Sequence, residues 1–205
     1  MGSAHIVEPG DAERAEVEAF IQSVYAREYG AHVGTFAERL LCRRNAAGEI
    51  LCAAGLRLAE DGFFSELYLD GPVEAALSNA TGRRLRRSDV YEVTTLASGA
   101  PHDLVPFIAD IVAFGGAHGL SWCFFTLTRR LSLLVRRRGL APIYLGDADP
   151  ARVAHPEVWG RYYETEPKVF GVCGVDMLAA YRRATAASVC VPSAAGRVLH
   201  HADVL

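Results

Sequence analysis

Between residues 90 and 128 the chain passes from a β-branched segment carrying Val90, Val93, Thr94 and Thr95, through a loop at 98–102, into an apolar stretch, two glycines and a second short apolar segment. Strand, helix and strand in that order predict a parallel pair crossed over by its own helix, an arrangement that lies in a sheet covered on its faces. Leu104, Phe107, Ile108, Ile111 and Val112 recur at helical spacing, Asp103 stands near the start, and Gly115 and Gly116 end it. Residues 122–128 then read as a buried strand. Such a crossover sets the N-terminal amides of the helix beside the end of the preceding strand, where unpaired N–H groups and the helix dipole favour an anion. The loop at 98–103 is therefore the expected ligand position.

The rest of the chain supplies the flanks. Asp11 is a candidate N-cap, and Val17, Phe20, Ile21, Val24 and Tyr25 form one face of a helix that Gly30 ends. A second helical piece is predicted around Phe36, Leu40 and Leu41. A turn at 45–48 leads to a strand at 50–58, with 63–69 as its hairpin partner. A short helix begins near Pro72, an Arg-rich connection covers 79–88, and a helix runs over 129–138 with Leu131, Leu134 and Val135 inward. Strands at 142–145 and 169–175 and a closing helix at 177–183 complete one domain over 1–187, leaving a tail at 188–205. The fold class is α/β, a mixed central sheet flanked by helices.

The chain holds 21 basic and 24 acidic residues for a net charge of −3, so no basic excess suggests a nucleic-acid partner. Five cysteines without CxxC or Cys/His pairing read as reduced core residues of a cytoplasmic protein, and the seven histidines show no metal-ligand spacing. No secretory signal is evident at the N-terminus. The most membrane-like stretch, 104–127, is interrupted by Gly115, Gly116 and Gly119 and is expected to divide into helix, turn and strand rather than to span a bilayer.

Five collinear motifs over about residues 24–175 carry a resemblance. They are Arg27-Glu28-Tyr29-Gly30; Glu66-Leu67-Tyr68-Leu69-Asp70 followed by Pro72, Val73 and Glu74; the strand from Glu92 to Ala97; Phe124-Phe125-Thr126-Leu127-Thr128; and the run from Trp159 to Pro167. Together they resemble the thermostable hemolysin family. The resemblance implies a fold like that of GNAT acyltransferases, with a strand at Glu92 similar to that of acyl-homoserine-lactone synthases. It implies that backbone N–H groups of Thr95, Leu96 and Ala97, at the splayed end of the central strand, hold a thioester carbonyl, with the phosphate-bearing part of the donor beyond them near Ser98 and Gly99. Two departures stand out. The loop at 98–103 lacks the glycine-rich pattern that cradles coenzyme A pyrophosphate, which an acyl-carrier-protein donor would need less than acyl-CoA does. Val135 occupies the place of the tyrosine that protonates the leaving thiolate, passing that role to Tyr144, Tyr162 or water.

Each candidate residue has a structural alternative. Glu66, Tyr68 and Asp70 alternate along the expected strand and would share one face, as a site for an acceptor's ammonium group or as an exposed edge. Glu92, two positions before Thr94, is a candidate general base if burial raises its pKa, or a buried partner of Arg57. His102 is a candidate base or phosphate contact, or a plain loop histidine. Arg129 starts a helix directly after a strand and would reach a phosphate. Trp159, Tyr162 and Tyr163 would wall a substrate pocket or pack the last strands. The arginines at 83–87 and 136–138 would dock an acidic carrier protein or lipid head groups, or form a solvated face. The expected activity is transfer of an acyl group from a pantetheine thioester to a small amine or amino-acid-type acceptor, without a metal. The alternatives are a membrane-active haemolysin-type protein and a non-catalytic module that binds carrier protein.

Overall fold

A computed structural model describes residues 3–137, 139–176 and 179. In chain order the elements are β1 (Ser3–Val7), α1 (Arg14–Tyr29), β2 (Arg39–Arg44), β3 (Ile50–Arg57), α2 (Val73–Thr81), β4 (Val90–Ser98), α3 (Leu104–Ala117), β5 (Trp122–Leu127), α4 (Arg129–Arg137), β6 (Ile143–Asp147) and β7 (Lys168–Cys173). The strands form one seven-stranded sheet in the order β1-β2-β3-β4-β5-β7-β6. The β4–β5 pair alone is parallel. This is the mixed α/β sheet the sequence predicts, with the crossover helix α3 where the periodicity puts it, although it runs on through Gly115 and Gly116 to Ala117 rather than ending at them.

Strand alternation distributes the core over two faces. On one, Tyr91 and Val93 of β4 meet Phe107, Ile111 and Phe114 of α3 and Val135 of α4. On the other, Leu40, Cys42 and Ala53 lie under Val17, Ile21, Val24 and Tyr25 of α1, and a neighbouring cluster sits around Leu77 of α2. The stretch at 104–127 divides as expected into α3, a turn and β5, and among the described residues no helix is long and apolar enough to cross a membrane. Cys42, Cys52 and Cys123 are buried thiols, Cys173 is half-buried, and Cys190 lies outside the described residues. Apart from residue 179, the expected helix at 177–183 lies outside the described residues, as does the tail at 188–205.

Three local expectations are corrected. Asp11 does not cap α1; its carboxylate accepts the Glu8 amide, and the helix starts at Arg14 after Glu13. Residues 36–41 are not helical, because Leu40 and Leu41 belong to β2, paired on both sides by β1 and β3. Both faces of β2 are buried, so its apolar residues run together and the period of two is hidden. Residues 63–69 do not pair with β3, whose neighbours are β2 and β4; a 3-10 helix forms at Ser65–Tyr68 instead. The cause is remote in sequence. Glu92, fully buried on β4, accepts the amides of Phe64 and Ser65 at 2.6 and 2.7 Å, taking the donors that a ladder would use.

Candidate functional site

The parallel pair is joined only between Val90 and Val93 on β4 and Trp122 and Phe125 on β5. Beyond that both strands continue, to Ser98 and to Leu127, and diverge. On its other side β4 shifts register against β3 between Ala53 and Gly55, so that Thr94 opposes Gly55 and Ala97 opposes Ala53. Thr95 and Leu96 have no register partner on either side. Thr95 sits at φ 45°, a left-handed conformation uncommon for a residue with a branched side chain. The extra residue inverts the alternation. Val93 and Leu96 pack with the α3 core, whereas Ala97 packs with the α1 core.

A cavity of about 560 Å³ opens at this divergence. Its walls come from both sides of the sheet. One lobe is aliphatic, lined by Val93, Ile108, Ile111, Leu131 and Val135 beneath α3 and α4. The other is aromatic and polar, with Tyr25 and Tyr29 of α1, Arg57, Ser65, Tyr68, Trp159 and Tyr162. A cavity of this size and mixed character is ordinary for a small-molecule site.

The aromatic lobe is assembled from distant segments. The rings of Tyr29 and Tyr162 meet edge to face at 5.2 Å, and Trp159 lies 5.6 Å from Tyr162. The segment 155–166 is seated on the end of α1 by main-chain bonds, the His32 amide to Val158 at 2.6 Å and the Arg161 amide to Tyr29 at 2.8 Å. The hydroxyls of Tyr68 and Tyr163 are 2.7 Å apart. Burial pushes the Tyr68 phenol well above its ordinary range, so it remains protonated. Gly55 leaves room for the bulge, since a Cβ there would stand 2.3 Å from Thr94 Oγ1 and 3.0 Å from Ala37 Cβ. Gly55→Ala is expected to cost about 1–3 kcal/mol through overpacking, read as a lower urea midpoint at unchanged slope. An unchanged midpoint would mean that the β4 bulge is not packed as described.

Glu92 lies one layer behind the lining. Burial raises its pKa, against the hydrogen bonds from Ser65 and Phe64 and the charge of Arg57, which lower it. Thr126, on the cavity wall, donates to Ser65 Oγ at 2.9 Å, and the Ser65 side chain bonds Glu92 in turn. The carboxyl thus communicates with the cavity through two hydroxyls.

Of the residues singled out from the sequence, Tyr68, Thr94, Thr95, Leu96, Trp159 and Tyr162 line the cavity, and Tyr163 supports Tyr68. Others are placed elsewhere. Glu66 does not share a face with Tyr68: it pairs with Arg87 at 2.6 Å and accepts the Val73 amide at the start of α2. Burial alone would raise its pKa, but Arg87 and that amide outweigh it and hold the carboxylate low. Asp70 is exposed and paired with Arg152. His102 has a side chain 83% exposed beside Asp103 and does not reach the cavity. Ala97 is buried between strands; the Gly99 amide is spent on Leu51 and the Ser98 hydroxyl on Ala100. The loop at 98–103 is thus partly closed by its own bonds. Arg129 is exposed at the start of α4, next to Thr128 of the lining. Tyr144 is half-exposed on β6, away from the cavity, leaving Tyr68 and Tyr162 as the phenols in the lining's polar lobe beside the two of α1. In the Arg-rich connection Arg87 is bound to Glu66 and Glu74, and Arg86 to Asp89.

The mixed sheet opened between its parallel strands is a GNAT-like fold, and solved structures share it. The N-acyl amino acid synthase FeeM from uncultured soil microbes superposes with a TM-score of 0.58 at 12% identity, covering 90% of this chain and 99% of that one. The CoA-dependent acyl-homoserine lactone synthase MesI gives 0.55 at 17% identity over 90% and 95%. TofI in an apo form gives 0.58 at 16% identity over 88% and 96%. No curated protein matches the sequence. The chain belongs to the thermostable hemolysin family, whose profile matches residues 7–177.

Proposed function

We propose that the protein transfers an acyl group from a pantetheine thioester, acyl-CoA or acyl-carrier protein, to a small amine of amino-acid type. The observation that carries this reading is the single cavity through the β4–β5 divergence, aliphatic on one side, polar on the other, with the unpaired Thr95–Leu96 backbone between them. The acyl chain lies in the aliphatic lobe and the acceptor in the polar one. Main-chain N–H groups at the bulge hold the thioester oxygen where charge develops. The amine nitrogen attacks the carbonyl carbon, the C–N bond forms, and the C–S bond breaks with its electron pair leaving on sulfur. Thr126 and Ser65 pass the amine proton toward Glu92, whose burial raises its pKa and makes it a stronger base than an exposed carboxylate. Tyr68, kept protonated, is placed to return a proton to the thiolate. An acyl-CoA donor and a carboxylate-bearing acceptor also fit the names of structural neighbours.

The test combines purified protein with acyl-CoA and acyl-carrier-protein donors of graded chain length and a panel of amino acids. Thiol release and amide mass are the readouts. Val135→Trp, which fills the aliphatic lobe, is expected to depress turnover of long-chain donors about tenfold or more while sparing short ones. Equal loss across all lengths, or no amide from any pairing, would remove the assignment.

A further inference from the structure

Arg57 brings the one permanently charged side chain to the lining among the described residues. A guanidinium stays protonated throughout the accessible pH range and, in apolar surroundings, needs a counter-charge or a full set of acceptors. Arg57 has neither. Its Nη1 reaches only the carbonyl oxygens of Asp61 and Gly62, at 3.4 and 3.5 Å, and Nε is buried without an acceptor. Glu92, opposite it in the β3–β4 register, has both oxygens engaged by the amides of Phe64 and Ser65.

A second orphan stands nearby. Thr95 Oγ1 is also buried without a partner, and these two are the buried side-chain polar atoms left unsatisfied among the described residues. Both belong to residues of the cavity wall. The Gly55 position, two before Arg57 on β3 and therefore on the same sheet face, would carry a Cβ 3.3 Å from Thr95 Oγ1. The bulge thus turns the threonine hydroxyl to the face that carries the guanidinium. No aspartate or glutamate lines the cavity among the described residues, so an acceptor of purely positive charge would meet Arg57 with no carboxylate on the wall beside it.

We propose that Arg57 and Thr95 form a carboxylate subsite in the polar lobe, so that the acceptor is an amine carrying a carboxylate, an α-amino acid or close analogue. One oxygen accepts from the guanidinium and the other from the threonine hydroxyl, satisfying both orphans with a single planar anion. This assignment rests on the acyl-transfer reading above and names its acceptor class.

Two ligands that differ only at this group separate the possibilities: N-dodecanoylglycine and N-(2-hydroxyethyl)dodecanamide, titrated calorimetrically below their micellar concentrations into the full chain. The wild type is expected to bind the carboxylate about tenfold or more tightly than the alcohol. Arg57→Gln is expected to bring both to the affinity of the alcohol, and Thr95→Ala to reduce the preference severalfold. Should Arg57→Gln fail to fold, judged by its circular dichroism melt, the wild-type preference and its loss in Thr95→Ala decide. Equal binding by the wild type, or a preference that survives Arg57→Gln, overturns the carboxylate subsite while leaving the acyl lobe in place. Binding of neither ligand overturns the subsite and the acyl-transfer reading together.

Discussion

Replacing Gly160 by alanine is expected to destabilise the protein by about 3 kcal/mol or more, the sum of backbone strain and a main-chain collision. Gly160 adopts φ 54° and ψ −125°, a combination that side chains resist. A Cβ there would stand 2.3 Å from the Tyr29 carbonyl oxygen and 2.8 Å from the Gly30 carbonyl group. Neither obstacle is a flexible side chain, so the segment must lift. Lifting breaks the main-chain bonds from His32 to Val158 and from Arg161 to Tyr29, and it withdraws Trp159 and Tyr162 from the rings of α1. For a chain of this length the melting temperature should fall by roughly 6–12 °C. Thermal denaturation followed by circular dichroism checks this, with tryptophan emission reporting the wall itself. A change within the error of the melt would show that the segment is not seated there.

Glu92→Gln is expected to be strongly destabilising at acid pH and progressively less so as the pH rises. The amide side chain keeps one acceptor oxygen for the two amides at 2.6 and 2.7 Å and turns a donor toward the other. An opposed buried donor pair costs about 1–3 kcal/mol. The pH dependence follows from burial, which holds the folded carboxyl above its ordinary 4.5. Below the unfolded value both states are protonated and the wild type keeps its full stability. Between the unfolded and folded values the unfolded chain releases its proton first, so wild-type stability declines with rising pH and levels off above the folded value. Glutamine has no such decline, and the two proteins converge through that window. Urea melts at a series of pH values measure the gap. A constant gap would mean that burial does not raise the Glu92 pKa in the folded protein. In the acyl-transfer scheme the same substitution removes the end of the Thr126–Ser65 relay, so turnover should fall even where stability has converged.

Helical periodicity, a local pattern, located α1 and α3, although the equally local cap signal at Asp11 did not hold. The α1 and α3 helices have one buried stripe each; Gly30 ends the first in a left-handed conformation, whereas the second runs through Gly115 and Gly116 to Ala117 and the left-handed residue after it is Gly119. The parallel pair follows from the order of its parts. Leu40 and Leu41 were misleading because the run from Leu40 to Cys42 is buried on both faces and has no polar residue within it to mark its period. The run at 63–69 was misleading because the group that organises its backbone, Glu92, is remote in the chain. Within the cavity, Thr95, Leu96, Tyr68, Trp159 and Tyr162 were legible through the expected splayed strand and the family motifs. Arg57 was legible only as a partner for Glu92, since an orphaned Nε is a property of three-dimensional packing. The aliphatic lobe left no mark at all. Leu131 and Val135 recur at helical spacing just as they would over a solid interior, and periodicity cannot distinguish a filled space from an empty one.

The single surplus residue at Thr95 makes β4 a strand written in two reading frames: odd positions up to Val93 serve one hemisphere of the molecule, and even positions from Leu96 serve it thereafter. A chain shortened by that one residue would restore a continuous phase and draw Leu96 into ordinary pairing opposite Ala54. The passage between the hemispheres would then close without the loss of any side chain that touches it from the helices. Insertions and deletions at this point are for that reason far more consequential than substitutions, and a natural variant of altered length here should be examined first for a changed topology of its interior rather than for a changed surface.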